Sequence, residues 1–90
     1  MKLKWRREAL HDLQRIYSFN AGKSESFAMR VERRLLERAQ AIATTPQLGR
    51  LTDREGLMRL SVTDIQYVID YRPFDDRVSI VRIRSTREIR

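Results

Sequence analysis

The spacing of apolar residues changes along this chain, from a helical repeat in the first half to a strand repeat in the second. From about Arg6, apolar residues recur every three or four positions: Ala9, Leu10, Leu13, Ile16 and Tyr17. A second set repeats the pattern: Phe27, Val31, Leu35, Ala39 and Ile42, widened by Ala28, Leu36 and Ala43. This spacing is typical of helices that bury one face. The chain therefore contains two amphipathic helices, and each needs a partner for its apolar stripe.

Turn signals bound both helices. Gly22 lies between them and can adopt the positive φ that ends many helices. Ser24 or Ser26 can cap the start of the second helix. Pro46 stops that helix, because the residue before a proline avoids the helical region. The short connection predicts an antiparallel helical hairpin.

Four other segments alternate between inward and outward side chains, as strands do. They are residues 2–5, 57–62, 65–71 and 78–84. The last three follow one another through short turns, which favours an antiparallel meander. The predicted fold is α+β, in the order β-α-α-β-β-β, with the helical hairpin packed on a small antiparallel sheet in a single domain, residues 1–90. We expect its core to contain Leu13, Ile16, Val31, Leu35, Leu60, Ile69 and Ile83.

Charge is the clearest feature of the composition. Nineteen lysines and arginines oppose twelve aspartates and glutamates, which gives a formal net charge of +7 and predicts an anionic partner. The absence of cysteine and the single histidine, His11, argue against a thiolate or multi-histidine metal site, so we expect no metal and no cofactor. No apolar run approaches the length of about 18 residues that spans a membrane, and the charged N-terminus does not resemble a signal peptide. We therefore expect a cytoplasmic protein.

Arginines are concentrated at the end of the chain. Strict alternation places Val81 and Ile83 on one face of the last strand, and Ile80, Arg82 and Arg84 on the other. Arg87 and Arg90 follow just beyond. A sheet face that carries guanidinium groups suits contact with phosphate or carboxylate. A purely solubilising face is the other interpretation of the same residues.

The sheet face away from the hairpin offers cations but little acid–base chemistry. It collects Arg59, Ser61, Gln66, Val68, Asp70, Arg82 and Arg84. Tyr67 and Tyr71 share the opposite face with Ile69, which favours core packing. His11 borders the first apolar stripe and is interpreted as a helix-border residue rather than a catalytic base. A nuclease built on this face would need arginines to stabilise the transition state without a metal.

Several segments, in order and at consistent spacing, resemble the ParE branch of the ParE/RelE superfamily of bacterial toxins. The first is the helix with Ala9, Asp12, Leu13, Ile16 and Tyr17. The others are Pro-Gln-Leu-Gly-Arg at 46–50, Gly-Leu-Met-Arg-Leu at 56–60, Tyr-Val-Ile-Asp-Tyr-Arg at 67–72, Ile-Val-Arg-Ile at 80–83, and Arg87 with Glu88. The resemblance covers nearly the whole chain. The segment at 46–50 points to ParE rather than RelE.

The resemblance implies the toxin of a toxin–antitoxin module, neutralised by a cognate, ParD-like antitoxin. ParE-like members poison DNA gyrase, and RelE-like members cut messenger RNA on the ribosome. Arg59 and Arg87 match basic catalytic positions of RelE. Ser61 and Val68 stand where RelE has a lysine and an arginine, and Arg90 precedes the position of its catalytic tyrosine.

We therefore expect a gyrase inhibitor that is not an enzyme, with Arg82, Arg84, Arg87 and Arg90 as its target-binding residues. Two alternatives stay open. The first is a RelE-like, ribosome-dependent mRNA interferase that uses Arg59 and Arg87. The second is a non-toxic basic module that binds nucleic acid, or a degenerate toxin.

Overall fold

The computed structural model describes residues 1–88, which form two helices and a five-stranded sheet. In chain order the elements are β1 (Lys2–Trp5), α1 (Arg7–Ala21), α2 (Glu25–Thr44), β2 (Arg50–Leu51), β3 (Met58–Val62), β4 (Tyr67–Pro73) and β5 (Arg77–Ser85). Short 3-10 turns occupy Pro46–Leu48 and Thr86–Glu88. The predicted order is confirmed, and the structure adds one strand that was not predicted, the two-residue β2 between α2 and β3.

The strands lie in the order β1-β5-β4-β3-β2. Strands β2 to β5 pair antiparallel, which confirms the meander. Strand β1 pairs with β5 in parallel, with Leu3 opposite Val78, so the sheet as a whole is mixed. Short connections predict antiparallel pairing only between strands that follow one another in the chain. The helical hairpin separates β1 from the other strands, so its parallel pairing could not be predicted in this way. The α+β architecture, with two helices packed on one face of the sheet, is confirmed.

The ends of the helices follow local hydrogen bonding. The Ser24 hydroxyl accepts a bond from the backbone N–H of Phe27 at 3.3 Å, so Ser24 is the N-cap of α2. Helix α2 ends at Thr44, just before Pro46, as predicted. The expectation of a positive φ at Gly22 is wrong, since its φ is −61°. The backbone stays right-handed there, and the N–H of Gly22 bonds to the carbonyl of Ser18.

The core lies between the hairpin and the sheet. Six of the seven expected core residues are buried and Leu13 is half-buried against them. Three alanines of α2 are also buried, where their small side chains let this helix approach its neighbours: Ala28, Ala39 and Ala43. The apolar stripes are narrower than their spacing suggests, because Leu10 and Leu36 are 49% and 43% exposed.

A β-bulge changes which side chains of β5 face the core. Asp70 pairs with Arg82, but the next residue, Tyr71, pairs with Ile80, so Val81 is an extra residue in β5. The bulge resets the alternation, and Ile80 is fully buried in the core. The expectation that Ile80 shares a face with Arg82 is therefore wrong. In residues 1–88, neither helix has a stretch that is long and apolar enough to cross a membrane.

Candidate functional site

The strand register gathers arginines on the face of the sheet opposite the helices. Arg50, Arg59, Asp70 and Arg82 occupy consecutive paired positions across β2, β3, β4 and β5. Asp70 lies between two core residues of β4, so this row points away from the helices. We call it the arginine row. The pairing of strands, rather than proximity in the sequence, brings its cations together.

Asp70 joins two arginines of this face. Its carboxylate accepts bonds from Arg59 Nε at 2.6 Å and Nη2 at 3.1 Å, and from Arg84 Nη2 at 2.8 Å. The Asp70 side chain is 2% exposed, whereas those of Arg59 and Arg84 are 30% and 31% exposed. We call this group the Asp70 clamp. Solvent therefore meets the guanidinium groups and not the carboxylate beneath them.

The clamp keeps Asp70 ionised. Burial raises the pKa of this carboxyl, but hydrogen bonds from Arg59 and Arg84 outweigh burial and leave the pKa below its ordinary value. The hydrogen bond to Asp70 in turn raises the pKa of Arg59. A carboxylate with a lowered pKa is a weak base, so Asp70 is poorly suited to accept a proton at neutral pH.

A second buried carboxylate ties α1 to β5. Asp12 accepts bonds from Arg82 Nε at 2.7 Å and Nη2 at 3.0 Å, and from the backbone N–H of Ile83 at 2.9 Å. Strand β1 ends at Trp5, opposite Ile80, so it does not extend along β5 as far as Ile83. Asp12 supplies the acceptor for that N–H. Burial raises the pKa of Asp12, but its hydrogen bonds from Arg82 and from the N–H of Ile83 outweigh burial, so the net shift is downward.

The sequence singled out Arg59, Arg82, Arg84, Arg87 and Arg90. The structure brings Arg59 and Arg84 together at Asp70, whereas Arg82 binds Asp12 of α1. Arg82 and Arg84 are half-buried and ion-paired, so they are less free than expected. Arg87 lies beyond β5 in the turn Thr86–Glu88 and is exposed. It does not share the row of Arg59. Arg90 lies outside the described residues.

Sequence reasoning missed the roles of Asp12 and Asp70. Each was a signal in its own right, because Asp12 lies within the apolar stripe of α1 and Asp70 interrupts an apolar run in β4. A buried charge is costly unless it is paired, so such a residue implies a cationic partner nearby. The long separation of Asp12 from Arg82 hid the identity of that partner.

Tyr71 links the segment at 46–50 to the arginine row. Its hydroxyl donates to the carbonyl of Pro46 at 2.7 Å and accepts from the N–H of Gly49 at 2.9 Å. A Cβ at Gly49 would lie 2.6 Å from the carbonyl oxygen of Arg59, a distance too short for any side chain. Glycine lets the segment pack closely on β3, which places Arg50 opposite Arg59.

A cavity of about 470 Å³ lies at the turn of the hairpin. Its lining includes apolar side chains, Ile16, Phe19, Phe27 and Ile65, and cations, Arg15, Lys23 and Arg87. Buried Asn20 donates to the hydroxyl of Tyr67 at 3.1 Å within this lining. The carboxylates of Asp64 and Glu88 are engaged by Arg34 and by the N–H of Ser85. In the part of the chain described, no three acidic or histidine side chains cluster closely enough to hold a metal ion.

Two helices on one face of this sheet are the architecture of solved bacterial toxins. The chain is similar to a chain of the chromosomal ParDE system of P. aeruginosa, with TM-score 0.84, 23% identity, and 94% of this chain and 95% of that chain covered. It is also similar to a chain of the RelBE2 toxin–antitoxin complex of Mycobacterium tuberculosis, with TM-score 0.72, 20% identity, and 93% of this chain and 95% of that chain covered. The isolated E. coli RelE toxin has the same architecture, with TM-score 0.62, 12% identity, and 93% of this chain and 82% of that chain covered.

The chain therefore has the fold of the ParE/RelE-like toxins. The model of one family, the ParE toxin of the type II toxin–antitoxin system parDE, matches residues 3–90. The chain belongs to this family. No individually curated protein matches the sequence. At these identities the solved structures establish the shared fold, and the family match identifies the chain as a type II toxin.

Proposed function

We propose that this toxin inhibits DNA gyrase by binding it, without cutting nucleic acid, and that a ParD-like antitoxin neutralises it in the cytoplasm. The target is contacted through Arg82, Arg84, Arg87 and Arg90. Arg84 is bound to Asp70 on the face of the sheet away from the helices, Arg82 is bound to Asp12 of α1, and Arg87 lies in the turn after β5. Rigid guanidinium groups of this kind pair well with carboxylates or phosphates.

The observation that carries this proposal is the state of the carboxylates beside the arginines. The pKa values of both Asp12 and Asp70 are lowered, so neither is poised to exchange protons near neutral pH. Burial raises the pKa of Tyr71, and its hydroxyl is already committed to Pro46 and Gly49. Fixed cations flanked by ionised carboxylates favour binding over general acid–base catalysis.

The cavity at the hairpin turn suits the antitoxin. Its lining combines apolar side chains with the cations Arg15, Lys23 and Arg87, while its two carboxylates are already engaged. An acidic segment with a bulky apolar side chain matches both properties. Such a segment can be disordered alone and fold on binding, which fits the net charge of +7 on this chain.

The target is tested with purified proteins and in cells. We expect the toxin to arrest growth, to inhibit supercoiling by purified gyrase and to leave translated messages intact. Arg87→Ala should weaken both effects. The matched control is Arg33→Ala, at an exposed position of α2 away from the site.

Two outcomes would contradict the proposal. Codon-positioned cuts in translated RNA, with supercoiling unaffected, would support the mRNA interferase, in which Arg59 and Arg87 stabilise the phosphate. Harmless expression, with salt-dependent binding of DNA or RNA, would support the non-toxic basic module.

The antitoxin site is tested by co-expression. An antitoxin encoded beside this chain should relieve growth arrest, and Lys23→Glu in the toxin should weaken that relief by charge repulsion while the toxin still arrests growth. Lys4→Glu, at an exposed position of β1, is the matched control. Equal relief of Lys23→Glu and wild type would remove the cavity as the antitoxin site.

A further inference from the structure

Asp70 binds two arginines, although one would be enough to neutralise a buried carboxylate. Because Arg59 and Arg84 both bind it, the group carries a net positive charge. The arrangement also leaves the Nε of Arg84 buried without a hydrogen-bond partner among the described residues. Leaving a buried donor unpaired is unfavourable. Stability alone therefore does not account for the second arginine.

The same face also buries apolar side chains without difficulty. Val68, which is 4% exposed, lies two residues before Asp70 in β4, and Leu57, which is 2% exposed, lies two residues before Arg59. An apolar residue at position 70 would fit such surroundings. Removing only Asp70 would nevertheless leave Arg59 and Arg84 without their acceptor, so the packing would be kept and the ion pairs lost.

We infer that Asp70 is a positioning residue, which holds Arg59 and Arg84 as one pair of cations for a single oxyanionic group of the target. Asp70 takes Nε and Nη2 of Arg59 and Nη2 of Arg84, which leaves both Nη1 groups to donate outward. Fixing two long side chains in advance lowers the entropy lost on binding. This inference rests on the proposed function in one respect, namely that the Asp70 clamp lies on the surface that contacts the target. The oxyanion is a phosphate or a carboxylate.

The decisive variant is Asp70→Leu, which replaces the carboxylate with an apolar side chain of similar size. We expect it to fold with a melting temperature below that of the wild type, because Arg59 and Arg84 lose their acceptor, and to arrest growth at least tenfold less effectively at a temperature where it is fully folded. Asp76→Asn is the matched control, because it removes an exposed carboxylate from an arginine that does not contact Asp70, Arg77. It should leave growth arrest unchanged. If Asp70→Leu folds and arrests growth within twofold of the wild type, Asp70 is only structural and the inference fails.

A second measurement needs neither the target nor a variant. In ¹H–¹⁵N spectra of wild-type protein, pyrophosphate and glutarate serve as phosphate and carboxylate probes. We expect one of them to shift the Nε–Hε signals of Arg59 and Arg84 together, and the probe that does so identifies the class of oxyanion. If neither probe moves the two signals together, the inference is overturned, whether or not Asp70→Leu folds. A coupled shift in a protein that leaves gyrase unaffected would instead retain this site and refute the proposed target.

Discussion

The two faces of the sheet bury residues by different means. On the helix-covered face, Ile69 and Ile83 are buried by apolar contact with the hairpin. On the other face, Asp70 is equally buried, but by the side chains of Arg59 and Arg84. Apolar burial is non-directional, whereas hydrogen-bonded ion pairs fix distances and angles. Substitutions on the first face should therefore change stability, and those on the second should change where charge is presented.

The strongest test of the helix-covered face is Leu35→Ala. Leu35 is fully buried, so the substitution should lower the free energy of unfolding by about 2–5 kcal/mol. Urea denaturation measures the change. Leu36→Ala, at the neighbouring exposed position, should stay within about 0.5 kcal/mol of the wild type. Equal losses from the two variants would show that α2 is not oriented as described.

A smaller effect is expected where α1 meets the arginine row. Asp12→Ala leaves the N–H of Ile83 and the guanidinium of Arg82 without their acceptor, and should cost about 1–3 kcal/mol. Asp64→Ala removes an exposed carboxylate and should cost much less. If the two losses were equal in urea denaturation, Asp12 would not close the edge of β5.

Acid should act on the carboxylates of both regions together. Because the folded-state pKa values of Asp12 and Asp70 lie below the ordinary value of 3.8, their stabilisation is fully present above that value. It is lost as pH falls through the folded-state pKa values. Melting temperatures should therefore stay level from neutral pH to about pH 5 and fall below about pH 4. In a variant with Asn at both positions the fall should be shallower, and an identical pH profile would contradict the assignment.

The connection between the faces is tested by Tyr71→Phe. Its ring packs in the core, while its hydroxyl holds the segment that precedes β2. Loss of these hydrogen bonds should cost about 1 kcal/mol, less than the loss of core volume at Leu35. Hydrogen exchange should show faster exchange of the Gly49 amide. Unchanged exchange there would mean that the segment is held by other contacts.

The smallest effect on stability is expected at Arg87. This exposed residue lies outside both buried regions, so Arg87→Ala should stay within about 0.5 kcal/mol of the wild type. Growth arrest should nevertheless weaken about tenfold, because that factor corresponds to the loss of one charged contact. Full toxicity of a stably folded variant would remove Arg87 from the target surface. Charge reversal is a poorer test at Arg84, since it would place a second carboxylate against Asp70.

The sequence predicted the helical hairpin, the meander and most of the core, because these follow from local periodicity. Spacing placed Val31 and Leu35 correctly on the inner face of α2, and Ser24 and Pro46 marked its ends. The expected burial of Leu10 was wrong. Periodicity shows which side of a helix is apolar, but it does not show how much of that side the neighbouring elements cover.

The candidate site was less predictable, because it depends on contacts between distant positions. The bulge at Val81 arises from how β5 pairs with β4, and the alternation of residues within β5 does not predict it. The arginines were identified as an exposed cluster, but two of the three described are held by Asp12 and Asp70. Composition indicated that this region is basic, and only the ion pairs in the structure showed which arginines are held by a carboxylate.

The place of β5 in the sheet determines when the chain can finish folding. This strand lies between β1 and β4, yet it is the last strand to be synthesised. Until residues 77–85 are available, β1 has no strand to pair with and Asp12 of α1 has neither Arg82 nor Ile83. Contacts of such long sequence separation form slowly and late. The helical hairpin rests on contacts between neighbouring segments, whereas the arginine row can assemble only once β5 has been synthesised.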